Sequence, residues 1–355
     1  MKQQETVNRA PVEKILTFSD FDSQGSAMRG LHRTLREGTY VHAYLLSGAA
    51  GVGKKSLMRV ISSTLLCTCE TEKPCGKCPG CVQYYDGTHP DVIRIRPGKG
   101  INSDRDTERG KDAIVVDTIR QMVQMVGEHT YTGGVRIVEI LEAEKMNPPA
   151  QNALLKTLEE PPDNTVFMLV TEKPNLLLPT IISRCRHIPL HPWDNALIDR
   201  ILREQGVGEE RRGQTIGVCN GSIGVALQMA FDEEYWQRRE KILDQFLNLR
   251  RRSDIFSVAA FWKDQKEEID GLLTTVNELL RQVWLVNFGL LPENTLAGYD
   301  AAWRHMAREA RGEDFTQMIG FVDKARQQRL NQVTPQAVLE QLMLNIMGVK
   351  TKWST

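Results

Sequence analysis

The sequence lacks any run of about 18 consecutive apolar residues, so no membrane-spanning helix is expected. It also lacks an apolar core in MKQQETVNRAPVEK at the N-terminus, so nothing there reads as a secretory signal. A cytoplasmic location is expected. Net charge is absent as well, because 45 Lys and Arg balance 45 Asp and Glu. Whole-chain charge therefore gives no support for independent, tight nucleic-acid binding, although a local basic face is not excluded. Internal repeats and low-complexity segments are missing too, which argues against a solenoid array or a biased tail.

What is present fits an ordinary soluble globular chain, with 41% hydrophobic and 25% charged residues. The 355 residues are too many for one core, and two or three domains are expected. From Ala43 to Leu190 short apolar runs (AYLLSG, DVIRIRP, RIVEIL, TVFMLVT, HIPL) alternate with helical stretches at Lys54–Cys67, Asp117–Val126 and Ala150–Glu160. This alternation predicts an α/β domain with a mostly parallel sheet covered by helices. Asn147 suits an N-cap, Pro148 the first turn, and Pro161-Pro162 a stop. Leu154, Leu155 and Leu158 supply a buried stripe. The polar, Gly-rich stretch from Gly98 to Asp112 reads as an exposed loop. Beyond His191-Pro192 strand signals fade, and short helices are expected to about 240, then longer amphipathic ones. One of these is Lys266–Val286, whose Ile269, Leu272, Leu273, Val276, Leu280 and Val283 share a face and read as core.

GAAGVGKKS, Gly48 to Ser56, follows a predicted strand and opens a predicted helix. Gly48, four residues, Gly53 and Lys54 have the spacing of a phosphate-holding loop. Its glycines, Gly51 among them, let backbone N–H groups point inward at phosphates, and the helix N-terminus adds positive potential. Lys54 would meet phosphate oxygens. Lys55, however, stands where a Ser or Thr hydroxyl would ligate Mg²⁺, and Ser56 lies about 100° further round the helix. A second Mg²⁺ function also fails: Leu141-Glu142 ends the later strand where an acidic pair is needed. Hydrolysis in this pocket is not expected. ATP or ADP held weakly or without turnover, and an empty loop, both remain open.

Five of the seven cysteines fall between Cys67 and Cys81, in a chain too large to suggest a disulfide scaffold. Cys75, Cys78 and Cys81 are spaced two residues apart, and a fourth thiolate from Cys67 or Cys69 would complete a tetrahedral, structural Zn²⁺ site. Reduced thiols without metal are the bland alternative. Cys185 and Cys219 read as small buried residues. Ser183-Arg184-Cys185-Arg186, taken alone, carries little beyond a surface salt bridge.

HAYLLSGAAGVGKKS, CGKCPGC, THPDVIRI, VVDTIRQM, AQNALLKTLEEPP and LLPTIISRCR occur in that order. Together they resemble bacterial DNA polymerase III clamp-loader subunits of the AAA+ class over about residues 18 to 190. The resemblance implies an AAA+ domain over residues 1–190 with a zinc-binding insert near 67–81. A helical lid over 191–240 and a helical collar over 241–355 would follow. It favours Cys67 as the fourth zinc ligand, beside Cys75, Cys78 and Cys81. It makes Arg184 an arginine finger that reaches a neighbour's ATP site. It implies as partners gamma/tau-type ATPase subunits and the delta subunit, and through the complex the sliding clamp and primed DNA. Motor members carry the hydroxyl after the loop lysine, the acidic pair and a lid arginine. Here Lys55, Leu141 and Gly224 occupy those places. The chain therefore resembles a non-motor member, with Gly48, Gly51, Gly53, Lys54, Lys55 and Ser56 as a degenerate nucleotide loop. An ATP-hydrolysing motor and a zinc-knuckle DNA adaptor are the alternatives.

Overall fold

The sequence from Ala43 onward supplies short, mostly apolar runs, the composition of strands covered on both faces. In the computed structural model they form five strands: β1 (Ala43–Ser47), β2 (Val92–Ile95), β3 (Arg136–Ile140), β4 (Thr165–Thr171) and β5 (Arg186–Pro189). Every residue of β1, β3 and β4 is buried. The structure describes residues 17–70, 73–103, 112–249, 251–263 and 269–353. The N-terminal 16 residues, positions 104–111 of the expected polar loop and the first residues of the helix expected from Lys266 lie outside them.

All pairings are parallel and the order is β2-β3-β4-β1-β5. Because β1 sits between β4 and β5, the chain leaves it in one direction and returns on its other side. Such a switch point opens a crevice beyond the C-terminal ends of the strands. Helices α1 (Ser26–Arg36), α2 (Lys54–Leu66), α3 (Pro79–Tyr85), α4 (Val116–Val126), α5 (Pro148–Glu159) and α6 (Pro179–Ile182) accompany the sheet. The expected Asn147 cap is made, its Oδ1 accepting from Ala150 N at 2.9 Å. Leu154 and Leu158 of α5 join Leu45, Ile140, Phe167 and Ile119 in one core, with Leu155 partly buried at its margin.

Two charged networks hold the sheet to its surroundings. On β3, the fully buried Glu139 accepts from Ser62 Oγ of α2 at 3.1 Å and from Tyr84 OH of α3 at 2.6 Å. It also pairs with Arg94 Nε of β2 at 2.6 Å. At the opposite end of the strand, Asp91 caps the turn before β3. Its carboxylate accepts from Tyr131 N at 2.8 Å, Thr132 N at 2.9 Å and Thr132 Oγ1 at 2.6 Å. Buried Arg136 stands 3.8 Å from it and donates to the carbonyls of Met125, Val126, Glu128 and His129 at the end of α4.

The chain divides into two compact units, Met1–Pro192 and Trp193–Thr355. The second is helical: α7 (Asn195–Glu204), α8 (Glu209–Ile216), α9 (Ile223–Ala230), α10 (Glu233–Ile242), α11 (Asp254–Lys263), α12 (Ile269–Asn287), α13 (Ala301–Glu309), α14 (Gly312–Leu330) and α15 (Pro335–Lys350). The stripe foreseen on α12 is buried along its length. Several buried polar groups inside this unit are matched across its helices. Arg239 donates to Gln282 Oε1, whose amide donates to Thr295 O at 2.7 Å, and Tyr299 OH donates to Leu279 O at 2.9 Å. Trp303 Nε1 and Lys350 Nζ both donate to Leu247 O, at 2.8 and 2.6 Å. No described helix is long and apolar enough to cross a membrane.

Burial opposes ionisation of Asp91, but the donors of Thr132 and Tyr131 and the Arg136 charge outweigh it and hold the carboxyl below its ordinary value. A depressed folded-state pKa stabilises the protein above the unfolded value and loses that contribution as pH falls through the folded value. Asp91→Asn is therefore expected to cost about 1–3 kcal/mol at neutral pH. The gap between variant and wild type should close below about pH 4. Urea midpoints across that range check this, and an undiminished gap in acid would show that the charge is not the stabilising element.

Candidate functional site: a closed phosphate loop, an outlying arginine and a cysteine cluster

The loop between β1 and α2 turns on three left-handed glycines, Gly48 (φ 148°), Gly51 (φ 67°) and Gly53 (φ 103°). At Gly48 a Cβ would stand 2.7 Å from Leu190 O, so only glycine fits the approach of the loop to the end of β5. Gly53 precedes the first helical residue, Lys54, and its carbonyl receives Leu57 N at 2.8 Å. The backbone thus has the cradle that the sequence spacing implied.

The contents of the cradle are its own. Lys54 is 7% exposed, and its Nζ donates to Gly48 O at 2.7 Å and Ala49 O at 2.6 Å. Glu172, just beyond β4, places Oε1 3.5 Å from the same nitrogen. Burial lowers the pKa of the ammonium, and the Glu172 carboxylate opposes that shift. A phosphate entering here would meet a lysine already engaged by two carbonyls and a carboxylate. Lys55 is exposed and Ser56 half-buried. Leu141 is buried, and Glu142 pairs with Lys145 at 2.9 Å. Neither magnesium function absent from the sequence is restored by these neighbours. Glu172 was missed in the sequence. Its signal is positional: it follows the strand beside β1, at the sheet edge where ligands bind. Glu144, which accepts from Glu172 N at 3.4 Å, was missed for the same reason. Gly224 is exposed on α9 behind the Ser222 cap and offers no side chain.

Arg184 lies elsewhere. It sits in the turn between α6 and β5, and β5 pairs in parallel with β1 so that Arg186 is level with Tyr44 and Pro189 with Ser47. Arg184 is therefore at the N-terminal edge of the sheet, about 20 Å along the strand direction from the loop. It cannot serve the loop of its own chain. Its Nη1 donates to Thr180 O at 2.9 Å and its Nη2 pairs with Glu159 Oε1 at 2.6 Å, with both side chains partly exposed. Cys185 beside it is buried, and burial pushes its thiol up to about 12.

The cysteines lie where α2 ends and α3 begins. Cys67 follows the last residue of α2 and Cys78 precedes Pro79, the first of α3. The two helices approach so closely that a Cβ on Gly80 would stand 2.3 Å from Leu66 O. The sulfurs of Cys67, Cys69, Cys75 and Cys78 all lie within 4.8 Å of one another. Three of these were named from the sequence. Cys81, the fourth named there, is fully buried within α3 and packs against Cys67 and Cys78, with Sγ 3.8 Å from Ser63 O of α2. Cys69, weighed as an alternative, comes in from the loop. The Cys67–Cys78 sulfur separation of 3.8 Å equals the edge of a zinc–thiolate tetrahedron, about 3.8 Å for 2.3 Å bonds. Burial works against the Cys78 thiolate, yet donors including the Cys81 and Thr68 amides hold its pKa to about 5. Cys75 accepts from the amides of Lys77 and Cys78 and is also lowered. The donor set suits a thiophilic metal ion.

A parallel sheet in the order 2-3-4-1-5, with a glycine loop joining its central strand to a helix N-terminus, defines the molecule as a P-loop protein of the AAA+ class. A family profile described as "DNA polymerase III, delta subunit" matches residues 23–194. The chain is similar to DNA polymerase III subunit delta' of Escherichia coli, with 34% identity over 62% of this chain and 63% of that one. To the subunit delta' of Haemophilus influenzae it is 31% identical over 70% of this chain and 73% of the relative. DNA polymerase III subunit tau of Escherichia coli is 33% identical over 60% of this chain, but over 32% of its own length. The chain belongs to the DNA polymerase III subunit delta' family. The match spans somewhat less than two thirds of the Escherichia coli relative.

The closeness of the loop to β5 is testable. Gly48→Ala should cost about 1–3 kcal/mol through backbone strain and the Leu190 contact. Gly30→Ala, in open space on α1, should be neutral or stabilise by about 0.5–1 kcal/mol. Equal thermal midpoints for the two variants would show that the loop is not closed as described.

Proposed function

We propose that this chain is a non-hydrolysing, delta-prime-type subunit of a DNA polymerase III clamp loader, working in the cytoplasm. It would complete the ATP site of a neighbouring gamma/tau-type subunit with Arg184. The observation that carries this reading is the separation of Arg184 from the chain's own phosphate loop by the length of β1. An arginine so placed has no phosphate of its own to meet, but it is available to a molecule packed against that edge.

Arg suits the role because its planar fork is always charged and matches two phosphate oxygens. A residue of this type contributes roughly 10³–10⁵ in rate to phosphoryl transfer. Leaving Glu159 costs little in comparison, since an exposed ion pair is worth about 0–1 kcal/mol. The chain's own loop serves as scaffold. Lys54 closes it, Lys55 and Leu141 withhold magnesium, and any ATP or ADP it takes up would be held weakly and not turned over. Within the helical unit, residues 191–240 would act as the lid and 241–355 as the collar that joins the gamma/tau-type and delta subunits. The assembly would open a sliding clamp and place it on primed DNA.

The cysteine cluster would hold one structural Zn²⁺ through Cys67, Cys75 and Cys78, with the fourth thiolate from Cys69 or Cys81. A four-thiolate shell leaves no position for water, so the ion would pin the α2–α3 connection and take no part in turnover. Elemental analysis should find about one zinc per chain, and Cys78→Ser should lose it. Folded, metal-free wild-type protein would remove the zinc site from this account.

The deciding experiment is Arg184→Ala in the reconstituted complex. The mutant should assemble normally, and the share of ATPase owed to the completed site should fall about 10³-fold. Arg184→Lys should restore little, because a point charge does not reproduce the fork. An unchanged rate would remove Arg184 from the mechanism.

A further inference from the structure

The net charge of zero hides a concentrated basic ridge on one helix. Helix α1 carries Arg29, His32, Arg33 and Arg36 at positions i, i+3, i+4 and i+7, which places all four on one ridge. The three arginines are exposed and His32 is half-buried. The opposite face, Met28, Leu31 and Leu35, is in the core, so the ridge is fixed in direction. His32 is further held by the Phe18 ring, stacked on it at 4.9 Å and 15°. Together with Glu37 these residues line a groove of about 450 Å³. Among the described residues none of the three guanidinium groups makes an ion pair; Arg29 Nη1 donates to a backbone carbonyl, Asp22 O, at 3.3 Å. Like charges one turn apart repel and weaken a helix. Three arginines in a row, with Glu37 as the acid lining the same groove, are therefore a local cost that a polyanion would reduce.

We propose that this ridge is a contact surface for the phosphodiester backbone of DNA, used by the chain directly. The ridge spans about 10 Å, enough to face two or three successive phosphates of one strand. Arginine, rather than lysine, supplies the charge, and its fork binds phosphate oxygens bidentately. Phosphate contacts of this kind position a nucleic acid without reading its sequence. The zero net charge makes the contact weak on its own, in the range of about 10⁻⁴–10⁻⁶ M at physiological salt. The inference goes beyond the clamp-loader reading and rests on α1 alone.

The test uses the full chain and a fluorescein-labelled single-stranded oligonucleotide, followed by anisotropy across a salt series. Wild type should bind with a negative slope of log affinity against log salt. The variant Arg29→Gln/Arg33→Gln/Arg36→Gln should lose about two units of that slope, about 0.7 for each phosphate contact removed. The Lys triple, Arg29→Lys/Arg33→Lys/Arg36→Lys, should keep the slope, which separates lost charge from lost fold. Three results would overturn the proposal: no binding by wild type at low salt, an unchanged slope in the Gln triple, or binding lost in Cys78→Ser but kept in the Gln triple. Loss of association with a tau-type subunit at unchanged DNA affinity would make the ridge a protein interface and overturn it equally. The Arg184 reading is measured by ATPase of the assembled complex, so the two can fail separately.

Discussion

In the α/β unit one buried carboxylate ties several elements to the sheet. Glu139 is fully enclosed on the central part of the sheet, and an unpaired carboxylate there would cost several kcal/mol. It is tolerated because Ser62, Tyr84 and Arg94 converge on its two oxygens from α2, α3 and β2. The requirement runs both ways. Burial and the neighbouring carboxylate raise the Tyr84 pKa well above its ordinary value, so its hydroxyl stays protonated and keeps donating. Through Tyr84 the carboxylate fixes α3 against the sheet, and α3 carries one side of the cysteine cluster. Through Ser62 it fixes α2, whose first residue closes the phosphate loop. The phosphate loop and the cysteine cluster are thus referred to a single strand position.

Much of this was legible in the sequence because it follows from local rules. Apolar runs gave the strands, the Asn147–Pro148 pair gave the start of α5, and glycine spacing gave the loop. The periodicity of Ile269 to Val283 gave α12. What was not legible depends on chain segments far apart in sequence. Glu172 reaches Lys54 only because β4 pairs with β1, and nothing near residue 54 announces it. The cysteines show the limit most clearly. Spacing makes Cys81 the third member of a regular series but does not rank it against Cys69; in the fold it packs with Cys67 and Cys78 from inside α3. Cys69, on an irregular segment, is brought in by the loop's return.

The phosphate loop separates fold from chemistry. Its three left-handed glycines and its helix N-terminus meet every backbone requirement for holding an anion. The side chains differ from that backbone plan: a lysine turned onto its own carbonyls, a carboxylate beside it, a second lysine where a hydroxyl would serve, and a leucine just beyond β3. Each change leaves the path of the chain intact. The architecture is held by the sheet switch and by the contact of Gly48 with Leu190, neither of which needs a nucleotide.

The polarity of the parallel sheet has a consequence for assembly. A molecule with a working loop at one edge and an arginine at the other is bifunctional, like a monomer with two different reactive ends. Such units join head to tail and can continue without limit. Removing the function of one end while keeping the other turns the same molecule into a chain terminator. With Arg184 partly exposed at one edge and Lys54 engaged at the other, the fold would, on the proposed reading, have the valence of an end group: it would finish a row of its relatives and offer the next one nothing to complete.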